Sequence, residues 1–114
     1  MFLSVLSLGS GSTNYRVKAF NAAAVADIRN ARTCLETYHE AHKEYPATLE
    51  QSGCKQWSRN VNGTYARSDR DKYQITSAYK YTNSSGTREF MITSEDPAVY
   101  WRYQGDPKET WKKE

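Results

Sequence analysis

The sequence predicts an α+β fold in which one long N-terminal α-helix packs on an antiparallel β-sheet of three or four strands. Apolar side chains recur every three or four residues between 15 and 45, the spacing that places them on one stripe of a helix. Pro46 ends this pattern, and from residue 72 onward apolar and polar residues alternate with the period of two that is typical of strands. The 114 residues suffice for one domain with one modest core.

The helix is predicted over residues 15–45. Its apolar stripe comprises Val17, Phe20, Ala24, Ile28, Ala31, Leu35, Tyr38, Ala41 and Tyr45. Pro46 lacks an amide hydrogen and biases Tyr45 away from helical geometry, so we expect the helix to end there. At 1.5 Å per residue it would span roughly 45 Å, more than the width of a domain of this size. One end of the helix should therefore project beyond the sheet.

The rest of the chain divides into a polar loop over residues 46–71, a β-meander over 72–104 and a charged tail over 105–114. Leu49 and Trp57 are the apolar anchors of the loop. The meander reads as three strands, with turns at 83–86 and 94–97 and a further turn at 105–107. The predicted helix–sheet core consists of Ala31, Leu35, Tyr38, Tyr45, Ile75, Phe90 and Ile92.

Cys34 lies on the predicted helix and Cys54 lies in the loop that follows it. They have no partners at the spacing of a metal site, so they form either one disulfide or two separate buried thiols. We favour the disulfide, which would fasten the loop to the helix and add roughly 3 kcal/mol of stability. A disulfide implies an oxidising compartment.

Residues 1–14 read as a non-native or substituted stub. The apolar run from Phe2 to Leu8 is far shorter than the ~20 residues that cross a bilayer, and it lacks a signal-peptide pattern. The run from Gly9 to Thr13 has the composition of a flexible linker. The globular domain is therefore predicted over residues 15–114.

Charge and motifs favour no enzymatic function. The net charge is +3, from 16 basic and 13 acidic residues that are interspersed, which is typical of a solvated surface rather than a nucleic-acid footprint. His39 and His42 are three positions apart on the helix, but we interpret them as solvated side chains rather than metal ligands. We predict no catalytic residues, no metal site and no cofactor.

The first half of the helix resembles a known family. The run from Tyr15 to Ala31 resembles the part of a type IV pilin helix that lies just beyond its membrane anchor. The helix exit from Glu44 to Leu49 is similar to the "Tyr-Pro-x-x-Leu" exit of type IV pilins and type II secretion pseudopilins. The predicted helix and meander also suit the roll of that family.

The resemblance implies a structural subunit of a type IV pilus. Such a subunit is anchored in the inner membrane before assembly, is handled by the inner-membrane assembly machinery, and forms a homo-oligomeric filament at the cell surface or in the periplasm. The apolar anchoring extension would stand where the stub is. The filament-packing positions implied are Tyr15, Val17, Phe20, Ala24 and Ile28. Small residues at Ala22, Ala23, Ala24 and Ala26 would allow close helix approach, although helix propensity explains them as well.

Three alternatives remain open. The first is a pseudopilin of a type II secretion system, whose major subunits typically carry a calcium site in the C-terminal loop. The second is a binding module in which the aromatic and basic residues of 79–81 and 100–103 contact single-stranded nucleic acid or carbohydrate, although we do not expect a nucleic-acid partner. The third is electron transport along a filament through Tyr15, Phe20 and Tyr38.

Overall fold

A computed structural model describes residues 9–54, 57–80, 87–104 and 111–114, without the side chains of residues 9–15. The elements in chain order are α1 (Gly9–His42), a 3₁₀ helix (Glu50–Ser52), β1 (Val61–Asp69), β2 (Lys72–Tyr79), β3 (Arg88–Thr93), β4 (Asp96–Tyr103) and β5 (Lys112–Lys113). The strands form one sheet in the order β1-β2-β3-β4-β5, and each strand pairs antiparallel with the next. The predicted α+β class is confirmed, with five strands rather than three or four.

The helix begins and ends earlier than the sequence pattern indicated. It starts at Gly9, inside the run whose composition suggested a linker, and ends at His42. The Lys43 amide donates a hydrogen bond to the carbonyl of His39 at 2.7 Å, and Lys43 itself has a φ of 64°. A left-handed residue commonly closes a helix, although that residue is usually glycine because a Cβ costs about 1 kcal/mol there. Tyr45 therefore lies beyond the helix, not at its end.

Two strands lie where the sequence suggested a loop and a tail. β1 occupies residues 61–69, and its register pairs Gly63 with Ser77 and Arg67 with Tyr73. Glycine and arginine thus hold positions on the helix-facing side of β1, so the apolar alternation that reveals a strand is weak. β5 has only two residues, both lysine. The predicted turns at 83–86 and 105–107, Tyr81 and the first eight residues of the stub lie outside the described residues.

The core lies between α1 and the middle strands of the sheet. Ile75 pairs with Ile92, and both are fully buried. The hydroxyl of Ser77 donates a hydrogen bond to the carbonyl of Ala24 at 2.8 Å, which joins β2 to the helix. The buried cluster comprises Ala24, Val25, Ile28, Ala31, Leu35, Tyr45, Leu49, Val61, Tyr73, Ile75, Phe90, Ile92 and Val99.

Most of the predicted core residues belong to this cluster, but Tyr38 does not. Its ring is half-buried and stacks on His42, with centroids 4.0 Å apart. Its hydroxyl accepts a hydrogen bond from Gln51 at 3.1 Å. Tyr38 therefore contacts the 3₁₀ helix through its hydroxyl.

A disulfide joins Cys34 on α1 to Cys54, as predicted, with the two Cα atoms 6.1 Å apart. A second contact lies close by, where the Asp27 carboxylate accepts hydrogen bonds from the Ser58 amide at 2.6 Å and the Ser58 hydroxyl at 2.7 Å. The disulfide and this contact both attach the loop between the helix and β1 to the helix.

Near the end of this loop, the ring of Trp57 packs against β1 at Gly63. A Cβ atom placed on Gly63 would lie 1.9 Å from the Cε2 atom of the Trp57 ring. No side chain larger than hydrogen fits there without moving the indole, so glycine at position 63 is required by packing.

Candidate assembly surface on the long helix

The sheet covers more of α1 than the sequence indicated. Ala24 and Ile28, two of the positions expected to contact neighbouring subunits, are 0% exposed beneath the sheet. Phe20 stacks on Tyr79 of β2, with ring centroids 4.1 Å apart. A helical period shows that these residues share a stripe but not how far along that stripe the sheet extends. The free part of the stripe therefore lies N-terminal to Phe20, whose ring already contacts the sheet.

A second, exposed surface runs beside that stripe. Ala22 and Ala26 are exposed and four residues apart, so they lie on one side of the helix. They border a groove of about 750 Å³ between α1 and strands β3 and β4. The apolar lining comes from Val17, Ala22, Val25 and Ala26 on the helix and from Phe90 and Tyr103 on the sheet. Tyr103, at 42%, is a large apolar residue with high exposure.

Basic groups outnumber acidic groups in the groove. Lys18, Arg29 and Arg88 line it together with one carboxylate, that of Glu114. Arg29 and Glu114 form an ion pair with 2.9 Å between Nη2 and Oε1. The guanidinium of Arg88 lies 3.7 Å from the centre of the Trp101 ring. The groove can therefore accept an apolar surface that carries negative charge at its border.

The backbone of Arg88 is bound to the helix, and its side chain lies over the ring of Trp101. The Arg88 amide donates a hydrogen bond to the side-chain oxygen of Asn21 on α1 at 2.9 Å. Its Nε atom is buried, and no hydrogen-bond acceptor contacts it among the described residues. A buried donor without an acceptor is costly, and Arg88 lines the groove from β3.

The other end of α1 carries a carboxylate that binds two tyrosines. The hydroxyls of Tyr45 and Tyr73 each donate a hydrogen bond to Oε2 of Glu36 at 3.0 Å. Burial, and then the hydrogen bond to Glu36, raise the pKa of Tyr45 to about 12 and raise the pKa of Tyr73 further. The cluster links helix, loop and β2, and its two tyrosine hydroxyls stay protonated at neutral pH.

The helix histidines lie near this cluster. Nε2 of His39 is 3.4 Å from the Asp71 carboxylate, and Nδ1 of His42 is 3.1 Å from the carbonyl of Tyr38. Among the described residues, no three His, Cys, Asp or Glu side chains converge as metal ligands would. The same part of the chain contains no helix that is both long and apolar enough to cross a membrane.

The aromatic and basic run of 100–103 is divided between the two faces of the sheet. Trp101 pairs with Phe90 and so lies on the helix-facing side, whereas Tyr100 pairs with Met91 on the outer side. On the outer side, the Tyr100 hydroxyl donates a hydrogen bond to Asp96 at 2.6 Å, which lowers the pKa of that carboxyl. The four residues do not form a single stacking surface, because neighbours in a strand point to opposite faces.

The structure brings together some of the predicted assembly residues and adds others. Val17 lines the groove and Phe20 lies beside Tyr79, while the Tyr15 side chain lies outside the described residues. Ala22 and Ala26 are recognisable from their spacing. Arg88 and Tyr103 reach the groove from the sheet, and no helical pattern could have identified them.

No family model matches this chain, and no match was found among curated proteins or solved structures.

Proposed function

We propose that this chain is a structural subunit of a type IV pilus, assembling through the N-terminal half of α1 and the groove beside it. The observation that carries the proposal is that this half of a 34-residue helix keeps Ala22 and Ala26 exposed beside an apolar groove. A contiguous apolar surface that stays exposed on a monomer marks an interaction site more often than scattered apolar residues do. Small side chains on an exposed helix face suit the close approach of a second helix.

The disulfide and the fold support the same proposal. A bridge between helix and loop suits a protein that works outside the reducing cytoplasm. The meander leaves the N-terminal half of α1 open on one side, so a neighbouring subunit could pack there without disturbing the core. The subunit would be held in the inner membrane by an apolar extension before assembly and would act in the periplasm and at the cell surface.

Filament assembly by the protein expressed from its native gene tests the proposal. The double variant Ala22→Glu/Ala26→Glu adds two carboxylates to the helix face beside the groove. We expect it to fold, because both positions are exposed in the monomer, but to give no filaments by electron microscopy of the sheared surface fraction. The matched control is Ala41→Glu/Ala47→Glu, which places the same charges on exposed positions away from the groove and should assemble normally.

Two results would count against the proposal. Normal filaments from Ala22→Glu/Ala26→Glu would show that the helix face beside the groove takes no part in assembly. A native gene without a short basic leader and about twenty apolar residues upstream of Tyr15 would contradict the pilin reading itself.

A further inference from the structure

The groove beside α1 carries positive charge that its own residues do not neutralise. Its lining contains three cations, those of Lys18, Arg29 and Arg88, against one carboxylate, that of Glu114. Glu114 is already paired with Arg29, at 2.9 Å between Oε1 and Nη2. Within the described part of the chain, Lys18 and Arg88 form no ion pair. The groove therefore holds two positive charges in excess.

Arg88 is the least exposed of these three cations. Lys18 and Arg29 are exposed, whereas Arg88 is half-buried and its Nε atom is fully buried. Its guanidinium lies 3.7 Å from the centre of the Trp101 ring, so the side chain is oriented before any ligand arrives. A partly buried charge without a counter-ion is costly. A carboxylate bound to Arg88 would reduce that cost and form charge-assisted hydrogen bonds.

Arg102 on the outer side of the sheet shows the counter-ion that Arg88 lacks. Its guanidinium also lies over an indole ring, 4.2 Å from the centre of Trp111. Its Nε atom donates a hydrogen bond to the carboxylate of Glu89, the residue opposite it in β3. Both arginines thus lie over a tryptophan, but among the described residues only Arg102 has a carboxylate beside it. The missing carboxylate at Arg88 has to come from outside the subunit.

The shape of the groove indicates what carries that carboxylate. Its volume of about 750 Å³ lies within the range of small-molecule sites. Val17 and Val25 on the helix and Phe90 and Tyr103 on the sheet supply apolar lining. The helix residues that line it run from 17 to 29, about 18 Å at 1.5 Å per residue. A long apolar groove suits a chain-shaped apolar body, whereas an inorganic anion would leave the apolar lining in water.

We propose that the groove binds a linear alkyl carboxylate, with the carboxylate at Arg88 and the alkyl chain along the apolar lining of α1. This binding goes beyond the proposed function, because it is a property of the isolated subunit. A bound alkyl carboxylate and a packed neighbouring helix would exclude each other, a consequence that rests on the proposed function. The site would then be open only before assembly.

Nuclear magnetic resonance of the ¹⁵N-labelled full chain, titrated with octanoate, tests the site. The three tryptophans report on three places: Trp101 lies beside Arg88, Trp111 beside Arg102 on the other side of the sheet, and Trp57 against β1. Octanoate up to about 3 mM should shift the indole N–H signal of Trp101 in a saturable way. The signals of Trp57 and Trp111 should stay nearly unchanged.

Three further compounds separate the charge of the ligand from its chain. Octanol has the chain without the charge, whereas acetate and inorganic phosphate have charge without the chain. Each should bind at least about tenfold more weakly than octanoate. Hexanoate lacks two methylene groups, so its dissociation constant should be higher by up to about fifteenfold.

Two arginine variants locate the carboxylate. Arg88→Gln should weaken octanoate binding about tenfold, because it removes the charge beside the groove. Arg102→Gln is the matched control, since it removes an arginine that also lies over a tryptophan but on the other side of the sheet, and it should bind octanoate like the wild type. Circular dichroism would verify that both variants are folded, and the compound series on the wild type tests the site without any substitution.

Four results would overturn the proposal. The first is no saturable shift of the Trp101 signal, and the second is equal binding of octanoate and any of the three comparison compounds. The third is equal weakening by Arg88→Gln and Arg102→Gln, which would exclude Arg88 as the partner of the carboxylate. The fourth is a Trp101 signal that moves with protein concentration but not with octanoate, which would make a second copy the occupant. The filament test changes Ala22 and Ala26 and uses no ligand, so either test can fail while the other succeeds.

Discussion

The ring of Trp57 leaves no room for a methyl group at Gly63. The indole lies where a Cβ would be, so the loop end and β1 can approach closely only because the residue is glycine. Gly53 is a useful contrast. It has a φ of 79° but nothing within 4 Å of a Cβ, so its requirement for glycine is conformational rather than steric.

We therefore expect Gly63→Ala to lower the free energy of unfolding by about 1–3 kcal/mol through overpacking. Gly53→Ala should cost about 1 kcal/mol through backbone strain alone. Urea denaturation followed by circular dichroism measures both. In a Trp57→Ala background, Gly63→Ala should become nearly neutral, whereas Gly53→Ala should keep its cost. An unchanged cost of Gly63→Ala in that background would show that the indole is not the cause.

The cluster of Glu36, Tyr45 and Tyr73 connects three elements, namely α1, the loop after it and β2. The two tyrosine rings meet edge to face with centroids 4.6 Å apart. Both hydroxyls donate to one carboxylate, so ionising either tyrosine would bring a second negative charge beside Glu36. This arrangement makes the attachment of the helix end to the sheet sensitive to alkaline pH.

The direction of this dependence follows from the raised pKa values. Above about pH 10 the unfolded chain loses tyrosine protons that the folded chain retains. Below pH 10, the two tyrosines should therefore cause no change of the free energy of unfolding with pH. It should fall as the pH rises towards the folded pKa of Tyr45, about 12, and beyond it for Tyr73.

Each tyrosine contributes a slope of at most about 1.4 kcal/mol per pH unit. Tyr45→Phe/Tyr73→Phe should remove these contributions, so its stability should decline less steeply than that of the wild type between pH 10 and 12. Denaturation curves measured at fixed ionic strength provide the test. Parallel declines for the two proteins would mean that other groups control alkaline unfolding.

The elements differ in how well the sequence predicted them. Ile75, Phe90 and Ile92 alternate cleanly with polar residues, so β2 and β3 were recognisable, and the Tyr-Pro pair correctly indicated that the helix ends nearby. β1 was missed because Gly63 and Arg67 occupy its inward positions, where Trp57 and a backbone carbonyl of the loop complete the packing. Such contacts are tertiary and leave no local pattern.

The candidate surface was predictable only on its helical side. Ala22 and Ala26 show the spacing of one helix face, so a contact surface there could be anticipated. Ala24 was assigned to the same surface, yet Ser77 and the sheet cover it. Arg88 and Tyr103 enter the groove because of strand order and register, which the sequence alone does not give.

The whole molecule is elongated. Its largest dimension is 51 Å, and its radius of gyration is 16.0 Å, against about 13 Å expected for a compact chain of this length. A helix of 34 residues is about 51 Å long at 1.5 Å per residue. The long axis of the molecule is therefore set by α1 alone.

Among the described side chains, the first ring contact between the helix and the sheet is made by Phe20. Removal of residues 1–14 should therefore change the free energy of unfolding by less than about 0.5 kcal/mol. Small-angle scattering should show a smaller radius of gyration for the shortened chain. Phe20→Ala in the full chain is the contrast, with an expected loss of about 1–3 kcal/mol. A large loss on truncation would show that residues before Tyr15 contribute to the fold.

The order of the strands also determines how this chain must fold. Every strand pairs with its neighbour in sequence, so the sheet can form through short loops. Docking of α1 on the sheet instead joins distant residues, such as Ala24 and Ser77, which are 53 positions apart. Closing the longer loop costs more entropy. Helix docking is thus the non-local step that should limit the folding rate. The bridge between Cys34 and Cys54 shortens that loop, so the oxidised chain should fold faster than the reduced one.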